Sequence, residues 1–154
     1  MVRLVKLVDD YPNWLGGATR NVTVNTLYGF PICCDRTDYI GRTIIQTGQW
    51  EPLVSRTIAA CLGKGEMAID VGANIGYDTL LMSRMVGASG FVLSFEPDPA
   101  NLRRLYANLW MNSVVNVAVQ NIALSDAIGW GRLAPGGTGN FGHSHMRPVD
   151  GDAD

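Results

Sequence analysis

No stretch of this chain comes near the ~20 consecutive apolar residues that a membrane-spanning helix needs. The apolar opening, MVRLVKLVDD, is interrupted by Lys6 and closed by Asp9 and Asp10, so it reads neither as a span nor as a secretory leader. A cytoplasmic chain without a membrane partner is expected. Positive charge is also short. Twelve Lys plus Arg stand against 14 Asp plus Glu, a formal charge of -2, and no basic tract is present to follow a phosphate backbone. Nucleic acid is therefore not an expected partner. Cysteine is scarce: Cys33, Cys34 and Cys61 are an odd set without C-x-x-C spacing. That excludes a disulfide framework or zinc site as the first reading and leaves three buried thiols. Repeats and low-complexity blocks are missing too. What is present is 154 residues, 47% hydrophobic and 17% charged, enough for one globular domain that buries about 68–70% of its unfolded surface.

Residues 22–35, VTVNTLYGFPICCD, alternate apolar and polar up to Val24 and then cross a Tyr-Gly-Phe-Pro break into a second apolar run. This predicts a hairpin or two short strands that cover the chemical centre without forming it. In QWEPLVSRTIAACLGKG, Pro52 suits a first helical position and Gly63 a stop, with Leu53, Val54, Ile58, Cys61 and Leu62 on one broad face. That helix is expected to pack on the sheet that follows. From Glu66 the pattern changes. EMAIDV is nearly continuous apolar sequence, as in a strand covered on both faces; Gly76 to Val86 has helical spacing; FVLSFE is a second buried strand. Asp98 is placed to cap a helix with Pro99 in its first turn and Leu102, Leu105, Tyr106 and Leu109 on one face. A third strand is expected from about Val114 to Ile122. Alternating strand and helix predict an α/β fold, a doubly wound and mainly parallel sheet. Residues 1–63 read as an N-terminal hairpin and helix extension, and residues 64–154 as a β-α-β-α-β half domain with a glycine-rich tail.

Ligands of such sheets bind outside the carboxyl ends of the strands. The first strand ends at Asp70, its turn uses Gly72 and Gly76, and the second ends at Glu96, twenty residues beyond Gly76. An acid after the second strand commonly accepts hydrogen bonds from ribose hydroxyls, so a nucleoside is expected. A dinucleotide would want G-x-G-x-x-G, but Asn74 occupies the position two after Gly72, and Asp70 puts negative charge where phosphates would lie. A nucleoside with a cationic tail, S-adenosyl-L-methionine, fits better. Each feature also has a plainer reading: glycines for a tight turn, Asp70 as a helix cap, Glu96 as a surface acid before Pro97. Their order along one β-α-β unit favours the ligand.

The run from Ala68 to Asn112, followed by NVAVQNIALSD, resembles the FkbM-type S-adenosylmethionine-dependent methyltransferases, most closely in DVGANIG and FEPDP and upstream in TGQWEP. The resemblance spans about Tyr28 to Gly142 and implies the Rossmann-like class I methyltransferase fold. Carried over, Asp70, Gly72, Ala73, Asn74 and Gly76 would form the methionine-side loop. Glu96 would hold the ribose, Pro97 and Asp98 would flank the adenosine, and Asn121, Ala123 and Ser125 would lie by the adenine. The activity implied is methyl transfer to an oxygen of a small molecule or sugar, without a metal. The catalytic residue is left unassigned; Glu51, Tyr77, Asp78, His143 and His145 are the polar residues open to facing an acceptor. For the two histidines a solvated loop is the plainer reading, and for Asp78 a helix-start acid favoured by the dipole.

Family members usually continue into a fourth strand with a K-I-D-V-E-G-like block, which this sequence lacks. The expectation is a truncated or partial chain whose EMAIDV strand is an unpaired apolar edge, prone to self-association. Two other functions stay open: an inactive or partner-binding remnant, and a nucleotide-dependent oxidoreductase with a degenerate loop.

Overall fold

The computed structural model describes residues 20–126, 131–134 and 145–148. Its first elements are the expected hairpin, β1 (Asn21–Asn25) and β2 (Pro31–Asp35), antiparallel with Val22 opposite Cys34 and Val24 opposite Ile32. Thr26 closes the turn, its backbone N–H and its hydroxyl both donating to Phe30 O at 2.9 and 3.0 Å. Helix α1 (Tyr39–Thr47), which the sequence reading did not foresee, follows. Asp38 caps it by accepting Gly41 N–H at 3.0 Å, and Ile40 and Ile44, four apart, are its buried apolar pair. Helix α2 (Pro52–Cys61) starts at the predicted proline and gives way at Leu62, one residue before Gly63.

The apolar face read on α2 is only partly used. Ser55 and Ile58 are buried, whereas Leu53 and Val54 are exposed, because α2 packs chiefly on the following helix. Cys61 is exposed as well, so the reading of three buried thiols holds only for Cys33 and Cys34.

β3 (Met67–Val71), α3 (Tyr77–Val86), β4 (Phe91–Phe95), α4 (Pro99–Met111) and β5 (Val117–Gln120) then alternate as expected. The three strands form a parallel sheet in the order β3-β4-β5, with Asp70 beside Ser94 and Ser94 beside Val119. This register brings the carboxyl ends of all three strands to one side. β5 is shorter than predicted; just before it Asn116 still accepts Val92 N–H at 2.9 Å through its backbone O, while its side chain turns to the end of α3, Nδ2 donating to Gly87 O at 2.8 Å and Oδ1 accepting from Ser83 Oγ at 2.6 Å.

The two faces of β3 are unequally covered. Asp70, Val92 and Ser94 point into the buried face, while Met67, Ile69 and Val71 on the opposite face are 71%, 61% and 61% exposed. The expectation of a strand covered on both faces is corrected. Continuous apolar sequence could not show it, since covered and bare faces read alike when both carry aliphatic side chains. Among the described residues β3 has no strand on its outer side. An apolar edge of this kind templates strand pairing. We expect the 154-residue chain to sediment as a concentration-dependent oligomer and Ile69→Lys to shift it toward monomer; equal sedimentation of the two would remove β3 from the contact.

The hairpin is tied toward the sheet through α4. Asn108, fully buried on α4, accepts Cys33 N–H at 2.8 Å and donates to Cys33 O at 3.3 Å and Ile75 O at 2.8 Å. Arg104 of α4 meets the buried Asp35 carboxylate at 2.8 Å. One continuous core therefore runs from Val22 and Ile32 through Ile44, Leu81 and Leu105. The glycine-rich tail, for which no strand was predicted, contains an antiparallel pair, β6 (Gly131–Ala134) and β7 (His145–Pro148). Neither strand has a β-branched residue, which is why neither was legible. No helix among the described residues is long and apolar enough to cross a membrane.

Candidate functional site

At the carboxyl end of β3 the chain must leave the sheet and enter α3 within five residues, and it does so by left-handed backbone. Gly72 (φ 81), Asn74 (φ 51) and Gly76 (φ 91) all have positive φ. The two glycines serve different ends. A Cβ on Gly72 would meet nothing within 4 Å, so its bare backbone borders open space; one on Gly76 would fall 2.5 Å from Leu105 Cδ1, so here the loop is pressed against α4. Gly72 N–H and Ala73 N–H both donate to Phe95 O at 2.9 Å, which ties the loop to β4.

Glu96, 4% exposed, completes that tie. One carboxylate oxygen accepts Asn74 N–H at 2.7 Å and the other accepts Asp98 N–H at 2.8 Å. Burial pushes its carboxyl above the ordinary value, and the two backbone N–H groups pull it back. Asp98 is the predicted cap of α4, accepting Ala100 N–H at 2.7 Å. Asn121, after β5, donates to Glu96 O at 2.9 Å and Pro97 O at 3.2 Å, so it braces the FEPDP segment from the neighbouring strand. Ala123 is half-buried beyond it, and the Ser125 hydroxyl turns to Asp126.

Asp70 is 7% exposed and accepts the Thr79 hydroxyl, which lies 3.1 Å from Ser94 Oγ. Burial raises its carboxyl and the bonds from Thr79 oppose the rise. Above this corner opens a cavity of about 750 Å³. Asp70, Gly72, Ala73 and Asn74 line it, whereas Gly76, Glu96, Pro97, Asp98, Asn121 and Ala123 lie outside its wall.

The opposite wall comes from α1 and the segment that leads into α2. Tyr39, Ile40 and Thr43 of α1 line the cavity with Trp50 and Glu51, and Tyr39 and Trp50 pack edge to face with centroids 5.9 Å apart. The sequence signal that could have found them was Asp38 followed by Tyr39 and Thr43 at helical spacing. Glu51, singled out but not aimed by the sequence, faces the cavity and has left-handed backbone (φ 40) directly before Pro52, a position sterics disfavour. Tyr77 is 3% exposed, packs against Phe30 at 5.5 Å and also lines the cavity. Asp78 borders the cavity, its carboxyl pushed up to about 7 by burial and then by the negative charges of Asp70 and Glu51. His143 lies outside the described residues, and of His145 only its place in β7 is described. Among the described residues no group of three His, Cys, Asp or Glu could hold a metal ion.

Solved structures share this architecture. P. horikoshii TYW2 in complex with MeSAdo aligns with TM-score 0.52 and 21% identity over 71% of this chain and 39% of its own. The Pyrococcus horikoshii protein PH0793 gives 0.52 and 18% over 68% and 37%, and Pyrococcus abyssi Trm5b gives 0.50 and 17% over 65% and 27%. The chain thus spans well under half the length of these structures, and at such identity the likeness shows the fold, the Rossmann-like fold of class I methyltransferases. No curated protein matches the chain. The family profile described as the methyltransferase FkbM domain matches residues 70–151, more than half of the chain, beginning at the acid that closes β3 and taking in the whole loop and the FEPDP segment. The chain belongs to the FkbM methyltransferase domain family, whose members depend on S-adenosylmethionine.

Proposed function

We propose that this chain is the cofactor-binding part of an S-adenosylmethionine-dependent methyltransferase that acts on an oxygen of a small molecule or sugar. The observation that carries the reading is the corner where bare backbone at Gly72, the Asp70 carboxylate and an open cavity meet inside the FkbM match. The residues suit such a cofactor: Gly72 admits close approach, and the cavity wall is acidic and aromatic, without Lys, Arg or His among the described residues. That lining suits a cation and opposes phosphate, which also weighs against a dinucleotide and against a nucleic-acid acceptor.

Bound S-adenosylmethionine supplies a methyl group on a sulfonium. The chain's own residues bind and align, which is most of what in-line transfer requires. Glu96 holds the Asn74 and Asp98 backbones in place and offers its remaining lone pairs to the ribose; Pro97, Asp98, Asn121 and Ala123 border the adenosine. In this reading residues 64–154 hold the cofactor, while residues 1–63 supply Tyr39, Trp50 and Glu51 as the acceptor-side wall.

Calorimetric titration with S-adenosylhomocysteine, with NAD as the control, tests the reading. Binding of the former alone is expected; binding of NAD alone would overturn it. Glu96→Ala removes charge-assisted bonds of about 1.5–3 kcal/mol each, so S-adenosylhomocysteine should bind roughly tenfold to a few hundredfold more weakly. Unchanged affinity in a folded variant would take Glu96 out of the site.

A further inference from the structure

The acid at the end of β3 is already engaged, and a second acid in the same cavity is not. Asp70 accepts the Thr79 hydroxyl in a buried hydrogen-bonded group with Ser94. Asp78, in the first turn of α3, lines the cavity with its Oδ1 buried and without a hydrogen-bond partner. A carboxylate retained to cap a helix would accept an N–H of the first turn, yet the N-cap position of α3 is Gly76 and no first-turn N–H reaches Asp78 Oδ1. The groups around Asp78 are Asp70 from β3, Glu51 from the head of α2, Tyr39 from α1 and its neighbour Tyr77; among the described residues the cavity wall has no cationic side chain to answer them. A buried, unpaired carboxylate oxygen is costly unless a donor or cation comes to it.

Building on the methyltransferase reading, we propose that Asp78, and not the β3 acid Asp70, is the counter-ion for the α-ammonium group of the cofactor's methionine moiety. The ligand thereby supplies the charge that the protein withholds. Two consequences follow for pH. Without ligand the Asp78 carboxyl titrates near 7, so an incoming cation lowers its pKa and expels a proton. Affinity for the ligand then rises as pH increases through 7. Stability of the free chain runs the other way. The folded carboxyl lies above its unfolded value, so this contribution is fully present below about pH 4 and is lost as pH rises through about 7. Asp78→Asn removes that loss, so the variant should fold and melt higher than the parent at about pH 8.

The test compares S-adenosylhomocysteine with methylthioadenosine, which has the nucleoside and sulfur but no amino-acid group. Calorimetry on the parent and Asp78→Asn, at about pH 6 and pH 8 in buffers of different ionisation heat, reads affinity and proton release together. Asp78→Asn is expected to weaken S-adenosylhomocysteine roughly tenfold to a hundredfold and to abolish its proton release, leaving methylthioadenosine within about twofold. Equal weakening of both ligands would mean a structural role, and no weakening of either would mean no contact; each overturns the proposal. Failure of both ligands to bind the parent would defeat the methyltransferase reading itself, and this assignment with it.

Discussion

Gly76→Ala is expected to lower the melting midpoint by about 10 °C. Two costs add at this position. A non-glycine residue in left-handed backbone costs roughly 1–2 kcal/mol, and φ here is 91. The new methyl would also lie 2.5 Å from Leu105 Cδ1, a side chain that is itself fully buried. Leu105 could retreat only by leaving its packed rotamer, an overpacking cost of about 1–3 kcal/mol. For a domain of this size each kcal/mol moves the midpoint by about 2–4 °C. Gly72→Ala is the internal control. It shares the left-handed φ but meets no atom, so its midpoint should fall by only a few degrees while S-adenosylhomocysteine binding is lost. Equal midpoints in the two variants would show that the seating of the loop on α4 does not depend on Gly76.

Asn108 should be costlier still. Its side-chain amide pairs with both backbone groups of Cys33 on the open edge of β2, much as a peptide of an adjacent strand would, and it also holds Ile75 O of the loop. Asn108→Ala leaves three buried backbone groups without that partner. At about 1–3 kcal/mol for each unsatisfied group, a loss of roughly 3–9 kcal/mol is expected, a large share of the 5–15 kcal/mol typical of a domain. Asn108→Asp should be worse than alanine at neutral pH, because it turns an acceptor toward Cys33 O and Ile75 O where a donor stood. Thermal or urea unfolding checks the order: parent, then alanine, then aspartate. An aspartate variant as stable as the parent would refute the pairing.

The parallel β-α-β-α-β run was legible because its signals are local and redundant. Asp98 and Pro99 announce α4, Gly87 ends α3, and the apolar strands lie between them. Helix α1 was equally marked, by Asp38 and by Ile40 and Ile44, but its short run sits between a hairpin and a proline and invites a loop reading. Exposure was the hardest property to read. Leu53, Met67, Ile69 and Val71 are apolar in sequence and bare in the structure, since burial is decided by what packs against a face and not by the face itself. The site divides in the same way. The loop and Glu96 follow from spacing along the chain, whereas the wall of Tyr39, Trp50 and Glu51 is set by tertiary packing of residues some 20 to 40 positions upstream of the loop.

The pairing of Cys33 with Asn108 also sets a timetable. Seventy-five residues separate the two partners, and at roughly 5–20 residues per second a ribosome needs about 4 to 15 seconds to make them. Throughout that interval the hairpin has been made but the edge that Asn108 will close is bare, and the loop has no support from α4. The β2 edge and the loop therefore gain their seat only once the fourth helix has emerged.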